Sequence, residues 1–390
     1  MAITDRAVRL ADEFAADEEP ASAERRLPDT TWKRLMDAGV LRALQPTRWG
    51  GAEGPLVDFL DAVFEVARVA PSAGWVAGVV GSHPWQLSLF PEETQEEVWG
   101  DDPTTMISSS YAPTGKVEPV EAGYRVSGRW SFSSGCDHCG AVILGGVAGE
   151  VEVGGARVAN YGSLVLLRSE YSIDDTWFTS GLRGTGSKDI VVDDVFVPAR
   201  RFLSHPRYEY QPGVLAPGQE TNPGVRYRLP WATLFNLVLV APTLGMAQGF
   251  LDAWTEVTKK RRSSWGSSAG EDPLTQRHLA HAYWTLDAAI MKMRRVAIEL
   301  TEAAEAGVHV EKETRARYRW DVNRGCELAG EAVSDLYRVS SGRVVYVDHP
   351  LHARYQNIVA ALGHAFLAAD TPALAYGARR LGATPPEIQL

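Results

Sequence analysis

The chain has little cysteine, no excess of positive charge, no obvious long apolar run and no phosphate-binding glycine loop. Its three cysteines, Cys136, Cys139 and Cys326, are too few and odd in number for a disulfide framework, which fits a reducing cytoplasm. The run Cys136-Asp137-His138-Cys139 offers two thiols and an imidazole. A tetrahedral zinc site takes about four ligands, and no second CxxC or HxxxH completes one, so no metal is expected. A net charge of −10 disfavours nucleic acid and anionic membranes as partners. No apolar stretch of about 20 residues stands out, so no membrane span is expected. The N-terminal MAITDRAVRLADEF is amphipathic and acidic, unlike a signal peptide. Gly181-x-x-Gly184-x-Gly186 has the wrong order and spacing for a dinucleotide fingerprint, and no Walker loop is present. Internal repeats and low-complexity segments are missing as well.

What is there divides into three textures. At 390 residues, 45% hydrophobic and 23% charged, the chain can hold two or three units around a large core. Residues 1–100 read as a helical domain: Val8, Leu10, Ala11 and Phe14, then Trp32, Leu35 and Met36, recur at helical spacing. Residues 101–210 change to period two. Met106–Tyr111, Tyr124–Ser127, Trp130–Ser134, Ala141–Leu144, Ser163–Leu167 and Asp189–Phe196 read as short strands bounded by Gly, Asp and Pro, which predicts an antiparallel barrel or sandwich. Arg201–Arg228 carries several Pro and Gly and reads as a long surface connection. Residues 211–390 then hold long helices, Pro230–Arg262, Pro273–Ala306, Glu311–Arg338 and Pro350–Gly377, expected as a four-helix bundle.

The most telling segments lie in the middle. GYRVSGRWSFSSGCDHCG (Gly123–Gly140) delivers a pair of hydroxyls and a glycine at the end of an alternating strand. TWFTSGLRGTGS (Thr176–Ser187) adds a Gly/Thr/Ser loop with one arginine. Small hydroxyl residues beside glycines bring N–H and O–H donors against a flat heteroaromatic ring without crowding. With VFVP (Val195–Pro198), and with the α, β, α order of the whole chain, these segments resemble the acyl-CoA dehydrogenase-like flavoproteins. More narrowly they resemble the oxygenase component of two-component flavin-dependent monooxygenases. DDPTTMISSSYAP, GCDHCG, DDTWFTSGLRGTGS and VFVPARRFLS look most like the oxygenases of a phenolic seco-steroid, with p-hydroxyphenylacetate oxygenases close by. The resemblance implies an α+β, acyl-CoA dehydrogenase-like fold: N-terminal helical domain, middle antiparallel β-barrel domain, C-terminal four-helix bundle.

It also implies roles. Ser134, with Ser133, would lie beside the flavin N5 and the reactive C4a position, although both hydroxyls could simply satisfy local backbone groups. His83 and Ser109 would hold and deprotonate a phenol. His364, read as part of the final helix, would face the flavin and support a C4a-hydroperoxide. Trp177 would wall the ring, or be a plain core aromatic. Arg183 and Thr185 belong to the loop beside it, where Arg183 could bond the flavin or shape the loop. Arg262-Ser-Ser-Trp265-Gly266 resembles a motif whose arginine reaches the flavin phosphate, often across a subunit interface. One departure stands out: an Arg-Asp pair usual in the family, about seven residues before the histidine, is here Gln356-Asn357.

The implied activity is ortho-hydroxylation of a phenolic small molecule with FMNH2 or FADH2 and O2. The reduced flavin would come from a separate NAD(P)H:flavin reductase, since the chain has no dinucleotide fingerprint of its own. A cytoplasmic homotetramer is the expected assembly. Three alternatives remain at this level: an N-oxygenase of an amine or amino sugar, an acyl-CoA dehydrogenase, and a flavin-free binding protein. Glu327 and Glu331 sit at positions compatible with a solvated helix face, which disfavours the dehydrogenase because that reaction needs a base.

Overall fold

A computed structural model describes residues 2–209, 213–262 and 266–385. The chain opens with helices α1 (Ile3–Arg9), α2 (Ala11–Glu24), α3 (Asp29–Asp37), α4 (Leu56–Val69), α5 (Pro71–Leu87) and α6 (Glu92–Trp99). Every residue of α5 is buried. Its small residues make that possible: a Cβ on Gly78 would stand 2.5 Å from the Val238 carbonyl oxygen, so only glycine allows the helices this approach. Pro71 sets the first turn of α5, where its missing N–H costs nothing.

The middle of the chain forms strands β1 (Ile107–Ser110), β2 (Lys116–Val120), β3 (Gly123–Ser133), β4 (Ala141–Val153), β5 (Ala156–Leu167), β6 (Ser172–Asp174), β7 (Lys188–Pro198) and β8 (Phe202–Ser204). They build two four-stranded sheets, ordered β1-β4-β5-β8 and β2-β3-β7-β6. Trp130 and Ile190 from one sheet meet Val142, Leu144 and Leu164 from the other in a shared apolar layer. The expected antiparallel barrel is therefore corrected to two facing sheets, one of them mixed. Strand β1 pairs in parallel with β4. The excursion through β2 and β3 supplies the long crossover that parallel neighbours require.

After β8 come α7 (His205–Glu209), α8 (Trp231–Lys260), α9 (Pro273–Glu305), α10 (Lys312–Arg338), α11 (Pro350–Leu362) and α12 (Asp370–Arg380). Among the described residues, the second half of 201–228 is not simply a surface connection. Asn222 and Tyr227 are 3% and 1% exposed, Tyr227 Oη donates to the Leu44 carbonyl (3.3 Å), and Trp85 Nε1 donates to the Arg226 carbonyl (2.6 Å). Helix α8 is long and apolar enough to cross a membrane, contrary to the reading from the sequence. Its apolar window is 94% buried inside the protein, packed between α4 and α5 on one side and α9 and α10 on the other.

The last expected helix, Pro350–Gly377, is broken. It stops at Leu362, makes a short 3-10 turn over Ala365–Leu367 and restarts at Asp370, with an 81° bend. A break frees backbone carbonyls that must find donors. Asn323 Nδ2 on α10 donates to the Phe366 (2.8 Å) and Ala368 (2.9 Å) carbonyls. Asn236 Nδ2 on α8 donates to the Phe366 carbonyl and to Asn323 Oδ1, both at 2.9 Å. Asn323 is fully buried. Replacing it with Leu, similar in size but without polar groups, is expected to cost about 2 kcal/mol in urea unfolding, because the Ala368 carbonyl loses its donor and Asn236 Nδ2 loses one of its acceptors, while Asn236 still serves the Phe366 carbonyl. An unchanged midpoint would contradict this account of the corner.

Candidate active site

Strand β3 ends in an irregular turn. Its register with β7 shifts between Trp130 and Ser133, and Phe132 takes φ +70°. The kink leaves Phe132 70% exposed and turns Ser133 inward, where its hydroxyl is buried with no partner among the described residues. Ser134 Oγ lies 2.7 Å from Ser187 Oγ, which lies 2.7 Å from Thr185 Oγ1. Thr185 in turn donates to the Leu182 carbonyl (2.8 Å). Three hydroxyls thus form one line at the edge of the sheet.

The loop carrying that line is held from outside. Asn357 Oδ1 on α11 accepts from the Leu182 N–H at 2.7 Å. Gly181 lies so close to α11 that a Cβ there would stand 2.1 Å from the Gln356 carbonyl oxygen. The uncharged Gln356-Asn357 pair therefore has a structural part: an amide and a carbonyl that seat the loop. Trp177 Nε1 donates to the Leu182 carbonyl (2.9 Å), and its ring meets Phe132 edge-on at 6.0 Å. Arg183 donates to the Ser22 (3.2 Å) and Thr179 (3.0 Å) carbonyls. It braces the loop against α2.

Trp75 on α5, not singled out in the sequence, joins the two halves of the site. Its Nε1 donates to Ser134 Oγ at 3.2 Å, and its ring centroid lies 5.9 Å from that of His364. A lone indole among the small residues of PSAGWVAG was the available signal. His364 is not within a helix. It caps the 3-10 turn, its Nδ1 accepting from the Phe366 N–H at 3.2 Å. That bond leaves the proton on Nε2, so this imidazole is a donor. Burial, with Arg319 adding repulsion, lowers its pKa to about 4.

His83 sits inside α5, one turn from its end. Its Nδ1 lies 2.6 Å from the Ile107 carbonyl, which fixes the proton there, and its buried Nε2 has no partner among the described residues. Burial lowers its pKa to about 4, only partly offset by that bond. His83 is therefore a neutral acceptor at pH 7. Ser109 lies two residues beyond Ile107 on β1, so both face the same side of the strand. Tyr111, two residues further on, donates its phenol to Gln86 Oε1, and its ring lies 6.2 Å from His83 and packs edge-on to Trp231 (4.9 Å) and Phe235 (4.8 Å). The Phe235 ring is 6.3 Å from His364. Ser134, His364 and His83 are thereby linked through Trp75, Phe235 and Tyr111, with Ser109 two residues before Tyr111.

Other residues lie elsewhere. Arg262 is exposed just beyond α8, in a bridge to Ser268. Along α8 it stands on the order of 40 Å from Phe235, too far to reach this chain's own site. Trp265 lies outside the described residues. In the Cys136–Cys139 run, Cys136 and Cys139 donate to the Gly186 and Gly135 carbonyls, Asp137 pairs with Lys188 at 2.9 Å, and His138 stacks on Trp32 at 4.7 Å. Each member thus braces a different contact. Glu327 and Glu331 both pair with Arg324 on α10.

Known proteins resemble this chain along most of its length. Residues 1–102 match the family model "Acyl-CoA dehydrogenase, N-terminal domain" and residues 237–369 match "Acyl-CoA dehydrogenase, C-terminal domain". The chain is 38% identical over 354 residues to the flavin-dependent monooxygenase, oxygenase subunit HsaA of Rhodococcus jostii (strain RHA1), covering 90% of each. It is 33% identical over 296 residues to the FADH(2)-dependent resorcinol hydroxylase, oxygenase component, of Rhizobium sp. (strain MTP-10005), covering 73% of this chain and 69% of that one. The crystal structure of the HsaA monooxygenase from M. tuberculosis superposes with a TM-score of 0.91 at 35% identity, over 99% of this chain and 98% of that one.

The depressed pKa of His83 gives a pH test. Unfolded, the imidazole takes up a proton near pH 6.5; folded, it resists until about pH 4. Below 6.5 the unfolded state binds more protons, so stability falls as pH drops from 6.5 toward 4. In His83→Asn, whose amide can still donate to the Ile107 carbonyl, the loss in unfolding free energy between pH 7 and pH 5 is expected to shrink by about 2 kcal/mol. Parallel pH profiles for the two proteins would count against a buried neutral His83.

Proposed function

The chain belongs to the oxygenase subunits of flavin-dependent monooxygenases, which carry the acyl-CoA dehydrogenase fold, and from that membership we propose that it ortho-hydroxylates a phenolic substrate. The observation that carries this reading is His83, a buried neutral imidazole with its Nδ1 proton committed to the Ile107 carbonyl and its Nε2 lone pair unclaimed. Such an acceptor suits a phenol hydroxyl. Drawing off that proton raises electron density at the ortho carbon, and Ser109 supplies a second polar contact on the same side.

A reduced flavin fits the other end. Ser133 offers a buried hydroxyl without a partner, Ser134 heads a line of hydroxyls, and Trp75 and Trp177 bring flat faces to the same corner. When bound, reduced FMN or FAD supplies the two electrons that activate O2, one oxygen atom entering the ring and the other leaving as water. The chain's part is placement and dryness. Ser134 holds a hydrogen bond at the ring edge, the His364 Nε2–H donates toward developing negative charge, and Trp75 spaces the two. Thr185 steadies the hydroxyl line, and Trp177 walls the ring. Arg183 acts on the flavin only through the loop it braces.

Assembly belongs to the same reading. On this reading Arg262, with Trp265 of the same motif, serves a flavin phosphate in a neighbouring subunit of a cytoplasmic homotetramer supplied by a separate NAD(P)H:flavin reductase. Residues 1–100, 101–210 and 211–390 are the domains we assign, the last as a four-helix bundle. The gap between α6 and β1 and the end of α7 at Glu209 support those boundaries.

Purified protein mixed with photoreduced flavin, oxygen and simple phenols is expected to give catechols; hydrogen peroxide alone, with every phenol tried, would sink the reading. His83→Asn should lower kcat/KM by about a hundredfold, the usual scale of lost general-base assistance. Ser134→Ala should raise the ratio of peroxide to catechol. Arg262→Ala should weaken reduced-flavin binding about tenfold in anaerobic titrations, as expected for a lost charge-assisted bond.

A further inference from the structure

Helix α5, which carries both Trp75 and His83, begins without a cap of its own. Ala70 ahead of it has no side chain that can accept a bond, and Pro71 has no N–H to give. The acceptor for the Ser72 N–H comes instead from another helix. Glu18 on α2 takes that N–H on its two oxygens, at 3.1 and 3.3 Å, and accepts from Ser72 Oγ at 2.8 Å. A carboxylate in this place also meets the positive end of the α5 dipole.

Ser72 stands where the walls of the site converge. It is fully buried, and a Cβ on Gly184 of the Gly/Thr/Ser loop would lie 2.8 Å from Ser72 Oγ and 2.6 Å from Ala21 Cβ. Ser22, four residues after Glu18 and on the same face of α2, gives its carbonyl to Arg183 of that loop. Trp75, one turn after Ser72, donates to Ser134, and Val76 lies against Gly135. Helix α2 therefore sets the spacing between the first turn of α5 and the loop that bears the hydroxyl line.

Glu18 can change charge near neutral pH. Burial pushes its pKa up to about 7, against the opposing pull of the Ser72 bonds and of Arg354 on α11. Arg354 is favoured as a cation by Glu18 and by Asp252 on α8, and it donates to the Arg68 carbonyl at 3.5 Å. Arg68 on α4 pairs with Asp252 and Glu65. On α2 and just beyond it, Asp17 pairs with Arg34 and Thr31 of α3, and Arg25 pairs with Asp175. His83 and His364, both held near pH 4, stay neutral between pH 6 and pH 8.

We propose that Glu18 is a positioning residue for the hydroxylation: as a carboxylate it grips the first turn of α5 and keeps Trp75 on Ser134, and with a proton on it that contact slackens. The proposal rests on the phenol-hydroxylase reading, but its first test needs neither flavin nor turnover. The full chain is labelled with 5-fluorotryptophan, and Trp75→Phe identifies the Trp75 fluorine resonance. In the unchanged protein this resonance should move between pH 6 and pH 8 with a midpoint near 7. In Glu18→Gln it should stay at its pH 6 position throughout. In Ser72→Ala, which removes a bond that favours the anion, the midpoint should lie about one pH unit higher, the scale of one charge-assisted hydrogen bond.

A Trp75 resonance that ignores pH in the unchanged protein, or that titrates alike in Glu18→Gln, would overturn the proposal. Should Glu18→Gln fail to fold, an unmoved midpoint in Ser72→Ala overturns it and a raised one supports it. In turnover, Glu18→Gln should lose a larger share of its reducing equivalents to hydrogen peroxide than the unchanged protein does at pH 8, and the same share at pH 6. Equal shares at both would also count against it. If no phenol yields a catechol with the unchanged protein, the functional reading falls, while the fluorine titration still decides whether Glu18 governs Trp75.

Discussion

Two asparagines hold the corner on which the site depends. A helix that turns through 81° must leave carbonyls without their usual donors, and Asn323 and Asn236 supply those donors from α10 and α8. Because the turn is secured this way, His364 can leave the helix, cap the 3-10 segment and stand beside Trp75. The clamp ties three parts of the chain that are far apart in sequence. A continuous helix through Gly363 would have satisfied its own backbone and carried the imidazole elsewhere.

From that corner follows a division of labour between two imidazoles. Both are kept neutral by burial, yet the backbone gives them opposite tautomers. A carbonyl holds the proton of His83 on Nδ1, leaving a lone pair on Nε2. An amide N–H occupies Nδ1 of His364, leaving its proton on Nε2. One ring accepts and the other donates at the same pH, with no carboxylate needed to set either. Helix α5 links the two functions, since it carries His83 at one end and, two turns earlier, the indole that bonds Ser134.

Much of this was legible in the chain because local patterns carried it. The hydroxyl-glycine turns at Ser133-Ser134 and Gly184–Ser187, and the α, β, α order, are properties of short segments, and the family follows from them. What stayed hidden depended on partners distant in sequence. The break before His364 is invisible in an apolar run that continues past it, because Asn236 and Asn323 lie in other helices. Trp75 looks like a core aromatic until Ser134 is seen beside it. Arg183 braces its loop from Nε and Nη1 through the Ser22 and Thr179 carbonyls, a contact its charge alone does not announce. The stretch 201–228 has the Pro and Gly of a surface loop, yet Asn222 and Tyr227 in its second half are buried. Parallel pairing of β1 with β4 depends on topology, which alternation along a strand does not encode.

Helix α8 has a consequence for how the chain comes into being. Its apolar surface is covered on one side by α4 and α5, which precede it, and on the other by α9 and α10, which follow. On a ribosome adding roughly 5–20 residues per second, the second cover is not complete until several seconds after α8 has emerged. Throughout that interval a greasy rod stands half-dressed, attractive to chaperones and to its own siblings on the same message. Slower growth at low temperature, or a surplus of holdase, should therefore raise the share of chains that reach the native state.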